Sequence, residues 1–362
     1  MRDLSFVPEE LRGLRRYSYS RLNTFNSCEH EYYLGYICKN LPRLDNIYGK
    51  VGTLCHDIIE GIIKGEHDPT EATRLFKDGL FEIEMQGFKF PDDKIRQNYI
   101  ECITHYFNQS HEWTYDKVDI ERGVYTYVDN ILMIGYVDAI LYKGDEVYIV
   151  DHKTSSLATF KRDDLLIHSR QLLFYAMGLN IATGIKLNKV KLRFNMIKYC
   201  LVKWKGTTTD RERICERNQI VFKLRNDIKK DLIKAEMDEL DAVSIVERGI
   251  KENSFDVFPD FIKEKYHIED YFIDVDISRE NVEECLNYIK TSVTQLEKME
   301  KQKNPSIWRG RNVFEFSNTW YCTNLCNLRK HCKYYKSYCK TKMGEQEQNN
   351  ANLQDLKALG LG

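Results

Sequence analysis

The sequence predicts an α/β fold: a mixed central β-sheet flanked by helices, with helical insertions and a C-terminal cysteine-rich region. Three observations predict it. Two apolar runs, Ile131–Tyr142 and Glu146–Val150, flank the turn Lys143-Gly144-Asp145 and read as a β-hairpin. A helical stretch and an alternating run, Val190–Tyr199, follow in a strand–strand–helix–strand order. Hydrophobic residues make up 42% of the 362 residues and aromatics 12%, enough to bury a sizeable core.

Composition sets further bounds. A formal net charge of −1 excludes a globally basic coat for nucleic acid but leaves room for a local basic groove. No apolar run approaches the length of a membrane span, so no membrane partner is expected. The opening M-R-D-L-S-F-V-P-E-E lacks the apolar core of a secretory signal, so a cytoplasmic chain is expected. Its 11 cysteines should then be reduced or metal-bound. No G-x-x-x-x-G-K-[ST] occurs, which excludes a P-loop motor within the chain.

Residues 1–16 are polar and basic and read as a leader. Ser18 or Ser20 is the expected cap of a helix carrying Leu22 and Phe25. Cys28 follows; a lone cysteine is ordinarily a small buried hydrophobe. Thr53 is the expected cap of a helix with the stripe Leu54, Cys55, Ile58, Ile59, Ile62 and Ile63. His56 and Glu60, four apart, share a face beside that stripe, as a solvated face or as an imidazole and a carboxylate offered to a metal. Residues 66–118 read as helical, and Val118–Val128 as a strand leading into the hairpin.

The hairpin carries charge where charge is costly: Asp138, Asp151 and Lys153. Asp151 and Lys153, two apart, point to one face of a strand. Two carboxylates on paired strands with a lysine beside the second suit a metal-dependent hydrolytic site. A helix is expected from Asp163 to Ala182, with Gln171 and Tyr175 on one face. Arg211–Lys234 reads as a long helix rich in Arg and Lys, either a solvated face or a DNA-facing stripe. Ile268–Ile277 reads as a strand. Ser278 then caps an amphipathic helix carrying Val282, Cys285, Leu286, Ile289, Val293 and Leu296. Residues 341–362 read as a flexible tail.

Cys322, Cys326, Cys332 and Cys339 crowd the stretch Trp320–Cys339. Clustered thiols in a reducing compartment read as metal ligands. A tetrahedral zinc site and an iron–sulfur cluster both remain open, as does an unliganded set.

In order, the chain carries Y-S-Y-S-R-L before Cys28, then G-T-L-C-H-D-I-I-E, G-Y-V-D, V-D-H-K, Q-L-L-F-Y and the cysteine cluster. This ordered set resembles the PD-(D/E)XK nuclease superfamily, over about residues 17–340. Within it, the set is most similar to the branch containing RecB-type nuclease domains, the AddB exonuclease and the CRISPR-associated adaptation nucleases with an iron–sulfur cluster. The resemblance implies a restriction-endonuclease-like core, with 200–265 as an insertion. It implies Mg²⁺ or Mn²⁺ held by His56, Asp138, Asp151 and the backbone carbonyl of His152. Lys153 resembles the lysine that positions the attacking water, Gln171 and Tyr175 match the Q-x3-Y motif, and Glu60 stands as an outer acid. It further implies a [4Fe-4S] cluster on Cys28, Cys322, Cys326 and Cys332, with Cys339 as substitute. The usual C-x2-C-x5-C is one residue longer here, Cys322-x3-Cys326-x5-Cys332. The implied activity is DNA exonuclease, in recombination, repair or phage DNA processing. DNA is the implied partner, and related domains often work beside a helicase or recombination protein. Two other readings stand beside it: a non-catalytic iron–sulfur DNA-binding subunit of a helicase–nuclease machine, and a structure-specific endonuclease.

Overall fold

The computed structural model describes residues 4–38, 40–109, 111, 115–160, 162–206 and 208–358. In chain order these form strand β1 (Arg16–Tyr17), helices α1 (Tyr19–Ser27), α2 (Glu29–Tyr32), α3 (Ile47–Ile63), α4 (Ala72–Met85) and α5 (Asp93–Asn108), and strands β2 (Lys117–Val128), β3 (Ile131–Lys143) and β4 (Glu146–Lys153). There follow α6 (Arg162–Thr183), β5 (Val190–Lys205), β6 (Asp210–Glu216), α7 (Ile220–Lys234), α8 (Glu239–Glu252), α9 (Asp260–Lys265), β7 (His267–Val275), α10 (Arg279–Lys301), α11 (Phe316–Trp320) and α12 (Lys333–Ala358). Seven strands make one mixed sheet. The chain divides into two compact units: Met1–Gly49 with Tyr125–Gly135 and Glu283–Gly362, and Lys50–Val124 with Tyr136–Val282.

The second unit is built on β5. Its 16 residues are mostly buried, and both its edges are paired. On one edge β4 runs parallel to it, from Val147↔Val190 to Lys153↔Met196, and β6 runs antiparallel from Tyr199↔Glu216 onward. The other edge takes β7, antiparallel, with an irregularity between Asn195 and Cys200. Parallel neighbours cannot be joined by a tight turn, so β4 reaches β5 through α6. β3 and β4 form the expected hairpin, from Ile140↔Ile149 to Lys143↔Glu146. Gly144 takes φ +57° at its turn, a conformation that costs glycine least.

Two elements differ from the sequence reading, and one expected cap is found. The helix expected to begin at Thr53 begins at Ile47, because the apolar stripe extends back through Ile47 and Val51, both buried. Ser278 does cap α10, accepting from the Asn281 amide at 3.2 Å. The expected basic helix Arg211–Lys234 is a strand followed by a helix. Arg211 and Arg213 lie on β6, where the alternation around buried Cys215 pairs with β5. Arg217, expected on an exposed stripe, has no exposed surface at all. Together β5, β6 and α7–α9 bury their own apolar cluster, including Val202, Trp204, Leu224, Ile228, Ala242 and Ile262.

In the first unit Ser18 caps α1, accepting from the Arg21 amide at 3.3 Å, a contact worth about 1 kcal/mol. β1 pairs in parallel with β3 at Arg16↔Leu132 and Tyr17↔Met133. The N-terminal segment is tied to α10 through Glu300, which accepts from Tyr32 Oη at 2.7 Å and from Arg15 at 2.5 Å. Tyr32 stacks on Tyr36 and on Trp308, with centroids 4.9 and 5.7 Å away. Residues 341–358, expected as part of a tail, continue α12; 1–3 of the leader and 359–362 of the tail lie outside the described residues.

Candidate active site

The residues expected at the site all belong to the second unit. Asp138 lies two residues before, and Asp151 two residues after, the last paired position of the β3–β4 hairpin, Ile140↔Ile149. The two are close enough that the Asp151 charge acts on Asp138. Lys153 lies one pleat beyond Asp151, and its ammonium pairs with Asp151 Oδ2 at 2.7 Å. That ammonium also lies 5.8 Å from the Phe194 ring centroid.

Helix α3 brings His56 against the C-terminal part of β4 and Asp138 of β3. Its Nε2 is 2.7 Å from the carbonyl oxygen of His152, which can only accept, so Nε2 carries the proton. Nδ1 faces Asp138 Oδ2 at 3.9 Å, and in the neutral ring it carries the free lone pair. Loss of surrounding water raises the Asp138 carboxyl above its ordinary range; His56 and Lys153 oppose the shift, and Asp151 and Glu60 add to it. With 58% of the side chain accessible, solvent screens much of this effect. Glu60 pairs with Lys64 at 3.3 Å, one helical turn on.

On α6, Gln171 Nε2 donates to Tyr175 Oη at 2.8 Å, the four-residue spacing expected of one helical face. Burial pushes the Tyr175 phenol up to about 12, with the Asp138 and Asp151 charges adding to the rise, so it stays protonated at neutral pH. His168, one turn before Gln171, was not singled out in the sequence. Burial and then the Lys153 charge lower its pKa, and its ring stacks on Phe160 at 4.7 Å. Its i−3 spacing from Gln171 is the signal that marks it. Asn195 was also missed, although it is a lone amide in the apolar run V-K-L-R-F-N-M-I-K-Y. It is the cross-strand neighbour of His152 and donates to His152 Nδ1 at 3.1 Å. The half-buried His152 ring is held neutral, its pKa lowered to about 3 by desolvation and then by the His56 charge.

A family model for the PD-(D/E)XK nuclease superfamily matches residues 16–333. The chain belongs to that superfamily. No curated protein matches the chain. PD-(D/E)XK nucleases generally use divalent metal ions, and the α/β core with its mixed seven-stranded sheet fits their restriction-endonuclease-like fold. Membership of this superfamily points to a nuclease, a hydrolase that would bind DNA. Among the described residues, no helix is long and apolar enough to cross a membrane, and no group of three or more His, Cys, Asp or Glu is arranged to hold a metal ion. The donor chemistry of the candidate site nonetheless suits a hard divalent cation. It offers two carboxylates, an imidazole lone pair at Nδ1, and a His152 carbonyl with a second lone pair beyond the one His56 uses.

Cys28, Cys322, Cys326, Cys332 and Cys339 sit in the first unit of this nuclease. All 11 are free thiols. Cys28, Cys322, Cys326 and Cys332 line one cavity of about 20 Å³, together with Arg311 and Arg329. Burial raises the Cys28 thiol, and raises Cys322 to about 11 and Cys326 to about 12; in each case other cysteines of the set add to the rise. Cys339 lies outside this cavity, beside Tyr335. The extra residue between Cys322 and Cys326 falls in a π turn, Tyr321–Leu325, closed by the Cys326 amide donating to the Tyr321 carbonyl at 2.9 Å. A π turn takes one residue more than an α turn, so the longer spacing still returns both thiols to one cavity.

Proposed function

We propose that this chain is a Mg²⁺- or Mn²⁺-dependent DNA exonuclease of recombination, repair or phage DNA processing, carrying a [4Fe-4S] cluster and working in the cytoplasm. The observation that carries the catalytic part is the closure of His56, Asp138, Asp151 and Lys153 around the end of the β3–β4 hairpin. A divalent ion on His56, Asp138, Asp151 and the His152 carbonyl would supply Lewis acidity at the scissile phosphate and lower the pKa of water there. The protein's own part is positional. The hydrogen bond to the His152 carbonyl fixes the His56 tautomer. Lys153 holds a positive charge where phosphate charge develops, and Gln171 and the protonated Tyr175 orient groups beside it.

Four thiols on one cavity match the donor set of an iron–sulfur cluster: Cys28, Cys322, Cys326 and Cys332 would hold it, with Arg311 and Arg329 beside the negative charge. The exonuclease reading, and that of a helicase or recombination partner, rest on the likeness of this one-plus-three cysteine order to the iron–sulfur branch. The free thiols favour a reducing compartment. Incubation of the purified protein with linear and closed-circular single-stranded DNA in Mn²⁺ tests the activity. Linear DNA alone should be degraded, and Asp151→Asn should abolish degradation with the thermal transition intact. Cutting of circles would replace exonuclease by endonuclease, and full activity in Asp151→Asn would remove the site assignment.

A further inference from the structure

Asp151 and Lys153 occupy one face of β4. Tyr148, Val150 and His152 alternate with them and open onto the other face, where they line a cavity of about 250 Å³. In the ladder His152 stands beside Asn195, and Asn195 beside Phe272 of β7; Val150 stands beside Arg193. All of these belong to the second unit.

The cavity has an unmet polar requirement. Asn195 is 2% exposed. Its amide nitrogen donates to Tyr106 Oη and to His152 Nδ1, both at 3.1 Å, while its Oδ1 is buried with no donor. A buried carbonyl oxygen left without a donor is costly, and a bound N–H group would satisfy it. Because His152 Nδ1 accepts, the ring carries its proton on Nε2. The lining thus combines an acceptor on Asn195 with a ring N–H on its cross-strand neighbour, the complement of a nucleobase edge. Its walls are aromatic. The Arg193 guanidinium lies 5.2 Å from the Tyr148 centroid and 4.8 Å from that of Phe272, and Lys143 adds a second cation to the lining. Aromatic faces suit the base, and cations suit a phosphate. The volume lies just below the range of drug-sized ligand pockets, appropriate to a single nucleotide unit.

We propose that this cavity binds a nucleoside monophosphate, with its base against Asn195 and His152 and its phosphate toward Arg193 and Lys143. The site is distinct from the carboxylate site and lies on the opposite face of the same strand. Titration calorimetry of the full chain with dAMP in EDTA tests it without requiring cleavage, so its failure and failure of the nuclease reading are separate results. Saturable binding is expected in the wild type and in Asp151→Asn. Asn195→Leu and Phe272→Ala should each weaken it about tenfold or more. Should Asn195→Leu not fold, Phe272→Ala decides, since that ring is only half-buried. Absence of binding by the wild type overturns the proposal. So does binding that Asp151→Asn abolishes, or that Phe272→Ala leaves intact. A parallel titration with d(A)4 separates two supporting outcomes: dAMP alone binding marks a site for the free nucleotide, and both binding marks one for a nucleotide at a strand end.

Discussion

Arg217→Met should be one of the most damaging single changes in the second unit. The Arg217 side chain has no solvent exposure and pairs with Asp270 at 2.6 Å. Its Nε donates to the Ile197 carbonyl at 2.9 Å, its Nη1 donates to Gln109, and its guanidinium lies 5.0 Å from the Tyr106 centroid. Removing one partner of a buried ion pair costs about 3–5 kcal/mol, because the other charge is left behind. Here part of the compensation survives. Burial pushes the Asp270 carboxyl up, but the His111 hydrogen bond at 2.8 Å, and then Arg217, hold it below its ordinary range. The orphaned Ile197 carbonyl and Gln109 amide add back about 1–3 kcal/mol. The expected total is about 4 kcal/mol, a fall in melting temperature of roughly 8–16 °C at 2–4 °C per kcal/mol for a unit of this size class. Thermal unfolding followed by circular dichroism measures it. The double variant Arg217→Met/Asp270→Asn should recover about half of the loss, since it removes both charges together. A loss below about 1 kcal/mol, or strict additivity in the double variant, would refute the argument that a buried, charge-paired arginine anchors β6 to the sheet.

Lys153→Met should lower the cleavage rate about 10²–10³-fold with little change in DNA affinity, the usual cost of removing one preorganised group; equal losses in both would make it a binding residue. Burial and the nearby Arg217 lower His105 to about 4, against about 6.5 in the unfolded chain. Its contribution to stability is therefore complete above about pH 6.5 and is lost as pH falls toward about 4. His105→Gln should flatten the stability difference between pH 7 and pH 5 in denaturant titrations, and an unchanged slope would discount this histidine. Cys332→Ser should strip bound iron and the visible absorbance of a cluster, while Cys339→Ser should retain both. Iron loss in the second variant only would exchange their roles.

The hairpin was legible because its signals agree at several levels. Branched residues and a glycine turn define the paired strands, and the two acids in costly positions fall just beyond the last pair, Ile140↔Ile149. The α6 face was legible because Gln171 and Tyr175 obey a purely local spacing. What failed depends on distant partners. Arg217 reads as one more charge in a basic run, and only the convergence of Gln109, Ile197 and Asp270 makes a buried arginine affordable. In sequence β6 reads as the start of a helix because D-R-E-R-I-C-E carries no strong local strand signal; its pairing with β5 decides its state. The tight β2–β3 connection is a similar omission. Asp129 and Asn130 both adopt positive φ, 50° and 63°, the requirement of a two-residue hairpin turn, and an Asp-Asn pair was there to announce it.

The π turn between Cys322 and Cys326 bears on how such sites are searched for. A motif written as a fixed number of intervening letters assumes a uniform helical pitch between its cysteines. Where the pitch widens for a single turn, the letter count grows by one while the thiols still converge. What the cavity constrains is angular phase, not count, so a rigid text pattern discards chains like this one even though their thiols still line one cavity. The same reasoning makes the turn editable. Deletion of Thr323 or Asn324 should convert it to an ordinary α turn and produce the shorter spacing, leaving Cys322 and Cys326 on the same wall.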